Sequence, residues 1–316
     1  MEGAAGILFE MDKTESTSRP GRSMNRMRDK TMETDRNVET RTRRFPEWTE
    51  ASPKEAELNR ALLDRTTGKV HTLLKGLLAD PEIHHYHSYA NAVSVRRLGY
   101  NDHGPVHARI TTYNALKILR LLHESGIRTS LEKEEVGTFE DAQVAVAIGC
   151  FLHDIGMGVT REDHEWHSIN LGDAIISRYL RALYPEGDPM PVVLRGLAHE
   201  VIVGHMAHAR IHSVEAGAVL VADGTDMAHG RSRIPQNLER DPVVGDIHRY
   251  SASAIRRVEL SHGDTKPVRI AISMENKTGL FQVEEVLMTK VKASPIMPYL
   301  EVCALVADDP PRFYLR

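Results

Sequence analysis

The sequence predicts a mainly α protein, a helical bundle followed by a small α+β domain of β-β-α-β order. Three observations carry this. Apolar residues recur at helical spacing from Pro53 onward, alternation with a period of two appears only beyond Pro242, and residues 1–50 sustain neither pattern. The expected divisions are a disordered tail over 1–50, a helical domain over 53–240 and a small α/β domain over 242–316.

In the first 50 residues, 10 Lys and Arg balance 10 Asp and Glu. Such a stretch buries too little apolar surface to offset the entropy of ordering, so it is expected to be disordered, with a conditional partner-binding arm as the competing reading. Behind Ser52-Pro53, a helix-start pair, come Leu58, Leu62, Leu63, Val70, Leu73, Leu74 and Leu77 at amphipathic spacing. After Asn101-Asp102, Val106, Ile110, Tyr113 and Leu116 form the inner stripe of a helix running to about His123. Residues from Asp141 to Phe151 are almost wholly apolar and predict a buried helix, with Gly156 and Gly158 expected to stop it. Further helices are expected over His164 to Leu183, Pro191 to about Met206, and Ser213 to Ala222. Beyond Pro242, Ile255 to Leu260 reads as a strand and Val268, Ile270, Ile272 and Met274 alternate as another. A helix from Gly279 to about Val291 and a strand through Leu300, Val302, Ala304 and Val306 follow.

Composition excludes several classes. A formal net charge of −4 with a pI near 6.5 offers no global attraction to nucleic acid or to a membrane surface, so any basic site must be local. Cys150 and Cys303, both in apolar stretches, suggest neither a disulfide framework nor a thiolate zinc site. With no signal-peptide pattern and no bilayer-length apolar run, a cytoplasmic location is expected.

Histidine is the unusual residue: of 17, 11 lie between His103 and His229. His103 and His107, four apart, share one helical face. His153-Asp154 puts an imidazole and a carboxylate at the end of a buried run, where an uncompensated charge is costly. A divalent cation would resolve that cost, because neutral imidazole nitrogen and carboxylate oxygen are both suitable ligands. Asp223 ends a second apolar helix in the same way. Side chains from three helices of a bundle can converge on one centre, which makes His107, His153, Asp154 and Asp223 one candidate site.

The order His, His-Asp, distant Asp resembles the HD superfamily of metal-dependent phosphohydrolases. Local strings add to the likeness, which covers roughly Tyr100 to Pro235: His107-Ala108-Arg109-Ile110, Leu152-His153-Asp154-Ile155-Gly156 and Val221-Ala222-Asp223. Asn101 to Gly104 and Ala222 to Met227 are similar to an archaeal branch of that family. The resemblance implies an HD-type bundle holding one or two divalent ions (Mn, Fe, Mg, Co or Zn), with Asp154 bridging two of them. It also implies two more histidine ligands between the dyad and the last aspartate. His164 is preferred over His167, because His164-Glu165 with the serine that follows looks like the branch's pattern, and His205 over His199, because it better matches the spacing before the final Ala-Asp; His208 and His212 read as surface or loop residues. A water acidified by the metals would attack phosphorus in line, oriented by Asp154. Arg161, Arg231 and Arg233 could grip phosphate oxygens, their competing reading being solvated loop arginines. His103 is a proposed proton donor or positioning partner.

The expected substrate is a small phosphate ester, a phosphomonoester, nucleotide or cyclic nucleotide, with a homo-oligomer compatible with the appendage. Two other readings compete: a di-iron oxygenase on the same scaffold, and a non-catalytic sensor with a structural metal. Dinucleotide, P-loop, nucleophile-elbow and zincin motifs are absent.

Overall fold

A computed structural model describes residues 51–228, 251–307 and 309–316. The expected tail over 1–50, the expected domain boundary near 241, and Arg231 and Arg233 lie outside the described residues. The described residues belong to one compact unit.

The helical part runs α1 (Pro53–Leu63), α2 (Gly68–Ala79), α3 (Pro81–Ala92), α4 (Pro105–Glu124), α5 (Ser130–Lys133), α6 (Phe139–Leu152), α7 (His164–Leu183), α8 (Met190–Gly204) and α9 (Val214–Thr225). Local chemistry explains the starts. Ser52 accepts a hydrogen bond from the Glu55 N–H with Pro53 in the first turn, Asp80 does the same for Glu82 before Pro81, and Thr138 and Asp141 form a reciprocal capping box on α6. The short α5 is capped from a distance: the buried Glu215 carboxylate of α9 accepts from the Ser130 and Leu131 N–H groups at 3.0 and 3.2 Å.

Helix α6 is apolar all round, so it must be covered on every side. Helices α2, α4, α8 and α9 pack around it, and from Ala142 to Leu152 its side chains are buried with the exception of Gln143. Gly149 lets α8 approach, since a Cβ there would stand 3.0 Å from the Ala198 carbonyl and 2.8 Å from a Val201 methyl. The polar residues at the end of this central helix therefore emerge in the interior of the bundle.

The helix does end where expected, but Gly156 and Gly158 do not end it through a left-handed turn. They lie in a 3₁₀ turn, Ile155–Gly158, and neither has a positive φ. Gly156 is required instead by close approach: a Cβ there would meet the His164 carbonyl oxygen at 2.0 Å and the Ser168 nitrogen at 2.6 Å.

The C-terminal part is a four-stranded mixed sheet, ordered β1 (Ile255–Ser261), β2 (Val268–Met274), β3 (Leu300–Val306) and β4 (Arg312–Leu315). Neighbours β1 and β2 are antiparallel, β2 and β3 parallel, and β3 and β4 antiparallel. Val268, Ile270, Ile272 and Met274 are buried in alternation, as the period of two requires. The parallel pair is joined by a π-helical turn, Gln282–Leu287, leading into α10 (Met288–Ala293). Strand β4 is an addition to the expected order; four residues after Pro310-Pro311 carry too little alternation to reveal it. Helix α10 and the turn before it pack on α9, which brings the C-terminal segment against the helix that carries Asp223. Among the described residues, no helix is long and apolar enough to cross a membrane.

Candidate metal centre

Six side chains meet where α4, α6, α7, α8 and α9 converge. His107 comes from the first turn of α4, behind Gly104 and Pro105. His153 and Asp154 follow the last residue of α6. His164 is the first residue of α7, behind Asp163 in the left-handed region at φ 53°. Aspartate tolerates that region better than most residues. His205 follows the end of α8, and Asp223 lies near the end of α9. All six are buried.

The imidazoles are aimed by one repeated device. His153 donates from Nδ1 to the Cys150 carbonyl at 2.6 Å, His205 to the Ile202 carbonyl at 2.6 Å, and His164 to the Arg161 carbonyl at 2.8 Å. Each acceptor lies three residues earlier. A carbonyl oxygen can only accept, so in all three rings Nδ1 carries a proton, and in the neutral ring that leaves a lone pair on Nε2. His107 reaches the same state through Asp226, whose Oδ2 lies 2.7 Å from its Nδ1. Ser168 secures the dyad's backbone, donating to the His153 carbonyl at 2.6 Å and accepting from the Gly156 N–H at 2.9 Å.

The four Nε2 atoms divide into two pairs, and each pair faces one oxygen of Asp154. On one side His107 and His153 are 3.2 Å apart, each 3.2 Å from Asp154 Oδ2, with Asp223 Oδ1 3.1 Å from His107. On the other, His164 and His205 are 3.0 Å apart, at 3.2 and 3.4 Å from Asp154 Oδ1. With the protons on Nδ1, these are acceptor-to-acceptor approaches and repel one another.

Burial opposes ionisation of Asp154, but the surrounding imidazoles, His153 first, then His103 and His107, outweigh it and hold the carboxyl well below its ordinary range. Burial likewise opposes ionisation of Asp223, and the Lys290 ammonium leads the groups that overcome it. Burial drives His205 down to about 3, so its ring is neutral near pH 7.

These residues fit a divalent cation. Two ligands about 2.1 Å from a common ion lie about 3.0 Å apart at a right angle and about 3.4 Å apart at the tetrahedral angle; the ligand pairs above match that spacing, and only His153 and Asp223, at 3.9 Å, stand wider. Asp154 Oδ2 is buried without a hydrogen-bond partner despite its two imidazole neighbours, which is the unsatisfied acceptor a cation would engage. Three overlapping triads have their ligand atoms within 4.8 Å of one another: His107, His153 and Asp154; His153, His205 and Asp223; and Asp154, His164 and His205.

The remaining histidines and arginines are placed differently. His103 is half-buried beside the cluster, its ring centroid 5.7 Å from that of His107 and its Nδ1 2.7 Å from the Asn101 carbonyl. The Arg161 guanidinium lies 3.8 Å from the sulfurs of Met157 and Met206 and 5.6 Å from the Tyr100 ring centroid. His167 is half-buried and outside the cluster, and His199 faces Asp173 at 2.9 Å. His208 and His212 are exposed.

Two functional groups escaped the sequence reading. Asp226, three residues after Asp223 and so on a nearby face, orients His107; its position within Ala222 to Met227 was the available signal. Lys290 of α10 forms a short ion pair with Asp223 Oδ2 and donates to the His205 carbonyl at 2.8 Å. No local signal marks it, since a lysine on an amphipathic helix ordinarily faces water.

Fold and site define a mainly helical protein with a buried histidine–aspartate cluster that could hold metal ions. The chain is 40% identical over 237 residues to the uncharacterized protein MJ1020 of Methanocaldococcus jannaschii, a match covering 75% of this chain and 89% of that protein. It belongs to that protein's family. No protein-family model matches the chain, and no solved structure does.

Proposed function

We propose that this protein is a metal-dependent phosphohydrolase of the HD superfamily acting on a small phosphate ester, with nucleotides within the substrate class. The observation that carries the reading is the division of four Nε2 lone pairs into two sets that share Asp154, one oxygen to each. His107, His153, Asp154 and Asp223 would hold one cation, and Asp154, His164 and His205 a second. The bound cations supply Lewis acidity, polarising a phosphoryl oxygen and acidifying a water. Asp154 keeps its carboxylate ionised and aimed into both sets. Asp226 fixes the tautomer of His107, and three backbone carbonyls fix those of the other rings. Arg161 offers guanidinium donors to phosphate oxygens, and His103 is the proton donor to the leaving group.

The test joins metal analysis of the purified protein to phosphate release from a broad panel of esters and nucleotides with Mn²⁺. Asp154→Asn is expected to lower turnover at least a hundredfold and to reduce bound metal, whereas His167→Ala keeps both. Iron-dependent, oxygen-consuming turnover would overturn the reading in favour of an oxygenase. Retained metal with no phosphate released from any ester would overturn it in favour of a sensor.

A further inference from the structure

Away from the histidine cluster, a cavity of about 110 Å³ opens between the end of α1 and the C-terminal half of α4. Arg65 comes from the chain just after α1; Tyr113, Lys117 and Arg120 come from one face of α4, and Leu62 and Leu116 are its apolar lining. Lys117 follows His107 by ten residues on α4, which places it about 15 Å further along the axis. This is therefore a separate place from the candidate metal centre.

Its charge is one-sided. Among the described residues, no carboxylate lies within ion-pair distance of Arg65, Lys117 or Arg120. Burial and then the Arg65 charge press the Lys117 ammonium below its ordinary value, and Arg120 and Arg257 add to that. Glu259 is the one group that opposes the shift, and it is paired with Arg257 at 2.7 Å. Three cations thus share one small cavity in a chain whose net charge is −4. Like charges brought together repel, and an anion between them would reverse that.

The cations are also held in place. Arg120 donates from Nη2 to the Arg65 carbonyl at 3.2 Å, and the Arg65 guanidinium lies 5.4 Å from the Tyr113 ring centroid. Both contacts leave further guanidinium N–H groups available, since each arginine has five. The volume exceeds the roughly 10–15 Å³ of accessible space that a single water needs, and the fork of a guanidinium matches a tetrahedral oxyanion.

We infer that the cavity formed by Arg65, Lys117 and Arg120 is a binding site for a phosphate group, free or carried on a small molecule, distinct from the histidine cluster. Two probes separate those sources: inorganic phosphate and adenosine monophosphate, each titrated into the full-length protein at constant ionic strength against chloride. The readouts are the Tyr113 ring resonances of tyrosine-labelled protein and the dissociation constant from calorimetry. Saturable movement of the Tyr113 resonances is expected with at least one probe. Movement with inorganic phosphate assigns the site to the free ion, and movement with the nucleotide alone assigns it to a carried phosphate. Lys117→Gln with Arg120→Gln is expected to weaken that binding at least tenfold. Both side chains reach solvent, and the wild-type resonances report on the cavity whether or not the variant is stable. Tyr113 resonances that stay still with both probes, or a well-folded double variant of unchanged affinity, would overturn the inference.

Discussion

Replacing Lys290 by Met keeps a long apolar stem and removes the cation that balances Asp223. The pair is nearly dry, with side-chain exposures of 12% and 8%. Removing one partner of a buried pair costs on the order of 3 kcal/mol, because the other charge is left uncompensated. In a compact unit of this size that corresponds to a fall of about 6 °C or more in Tm for the metal-free protein. A cation bound by His107, His153 and Asp223 would balance the same carboxylate from its other oxygen, so the loss is expected to be much smaller with Mn²⁺ present. The hydrogen bond to the His205 carbonyl is lost in both states and cancels from the comparison. By reciprocity, a coupling of about 3 kcal/mol makes K290M bind Mn²⁺ roughly a hundredfold tighter than wild type, at 1.4 kcal/mol per tenfold. Thermal unfolding with and without chelator, and calorimetric Mn²⁺ titration, measure the four corners of the cycle. If K290M bound Mn²⁺ no more tightly, and lost as much stability with the metal as without it, Lys290 would be a plain anchor and Asp223 would not face a cation.

The other expectations are more local. Gly156→Ala drives a Cβ into the backbone of His164 and Ser168, so it should cost about 3 kcal/mol or more and deplete bound metal; wild-type stability in urea would contradict the close-approach argument. His164→Ala should lower metal stoichiometry in elemental analysis where His167→Ala does not, and equal losses would count against the second ligand set. His87 tests the pH dependence apart from the cluster. Burial, followed by the Arg109 charge, lowers its pKa to about 3, so in the folded protein the ring stays neutral while it donates to the Phe151 carbonyl at 2.7 Å. The unfolded ring takes up a proton near pH 6.5, so this contribution is intact above that pH and declines toward pH 3 by about 1.4 kcal/mol per unit. Relative to pH 7, His87→Gln should therefore lose about 2 kcal/mol less than wild type at pH 5, measured by urea unfolding at both values; parallel losses would refute the assignment.

What the sequence revealed and what it hid differ in where the cause of each residue's position lies. Helix α6 was legible because an all-apolar run can only be central, and His153-Asp154 because covalent adjacency carries both groups to its end. The four-residue step from His103 to His107 misled, because α4 begins only at Pro105: His103 precedes the helix, and its place beside His107 comes from the preceding loop and not from a shared helical face. His164 and His167 could not be separated by spacing alone; what separates them is that His164 opens α7, where the Arg161 carbonyl of the preceding turn can fix its ring. Gly156 was read as punctuation because its real constraint, the backbone of α7, is brought to it by packing. Lys290 is the extreme case, 67 residues beyond Asp223 and across two strands of the sheet. On its own helix it is an ordinary polar-face lysine, and only the docking of α10 on α9 makes it a counter-charge. The same logic governs the basic cavity: Lys117 and Arg120 look solvated on α4 until α1 delivers Arg65 against them. Residues whose roles are set within one helix can be read from periodicity, whereas those that matter through a partner element require the fold.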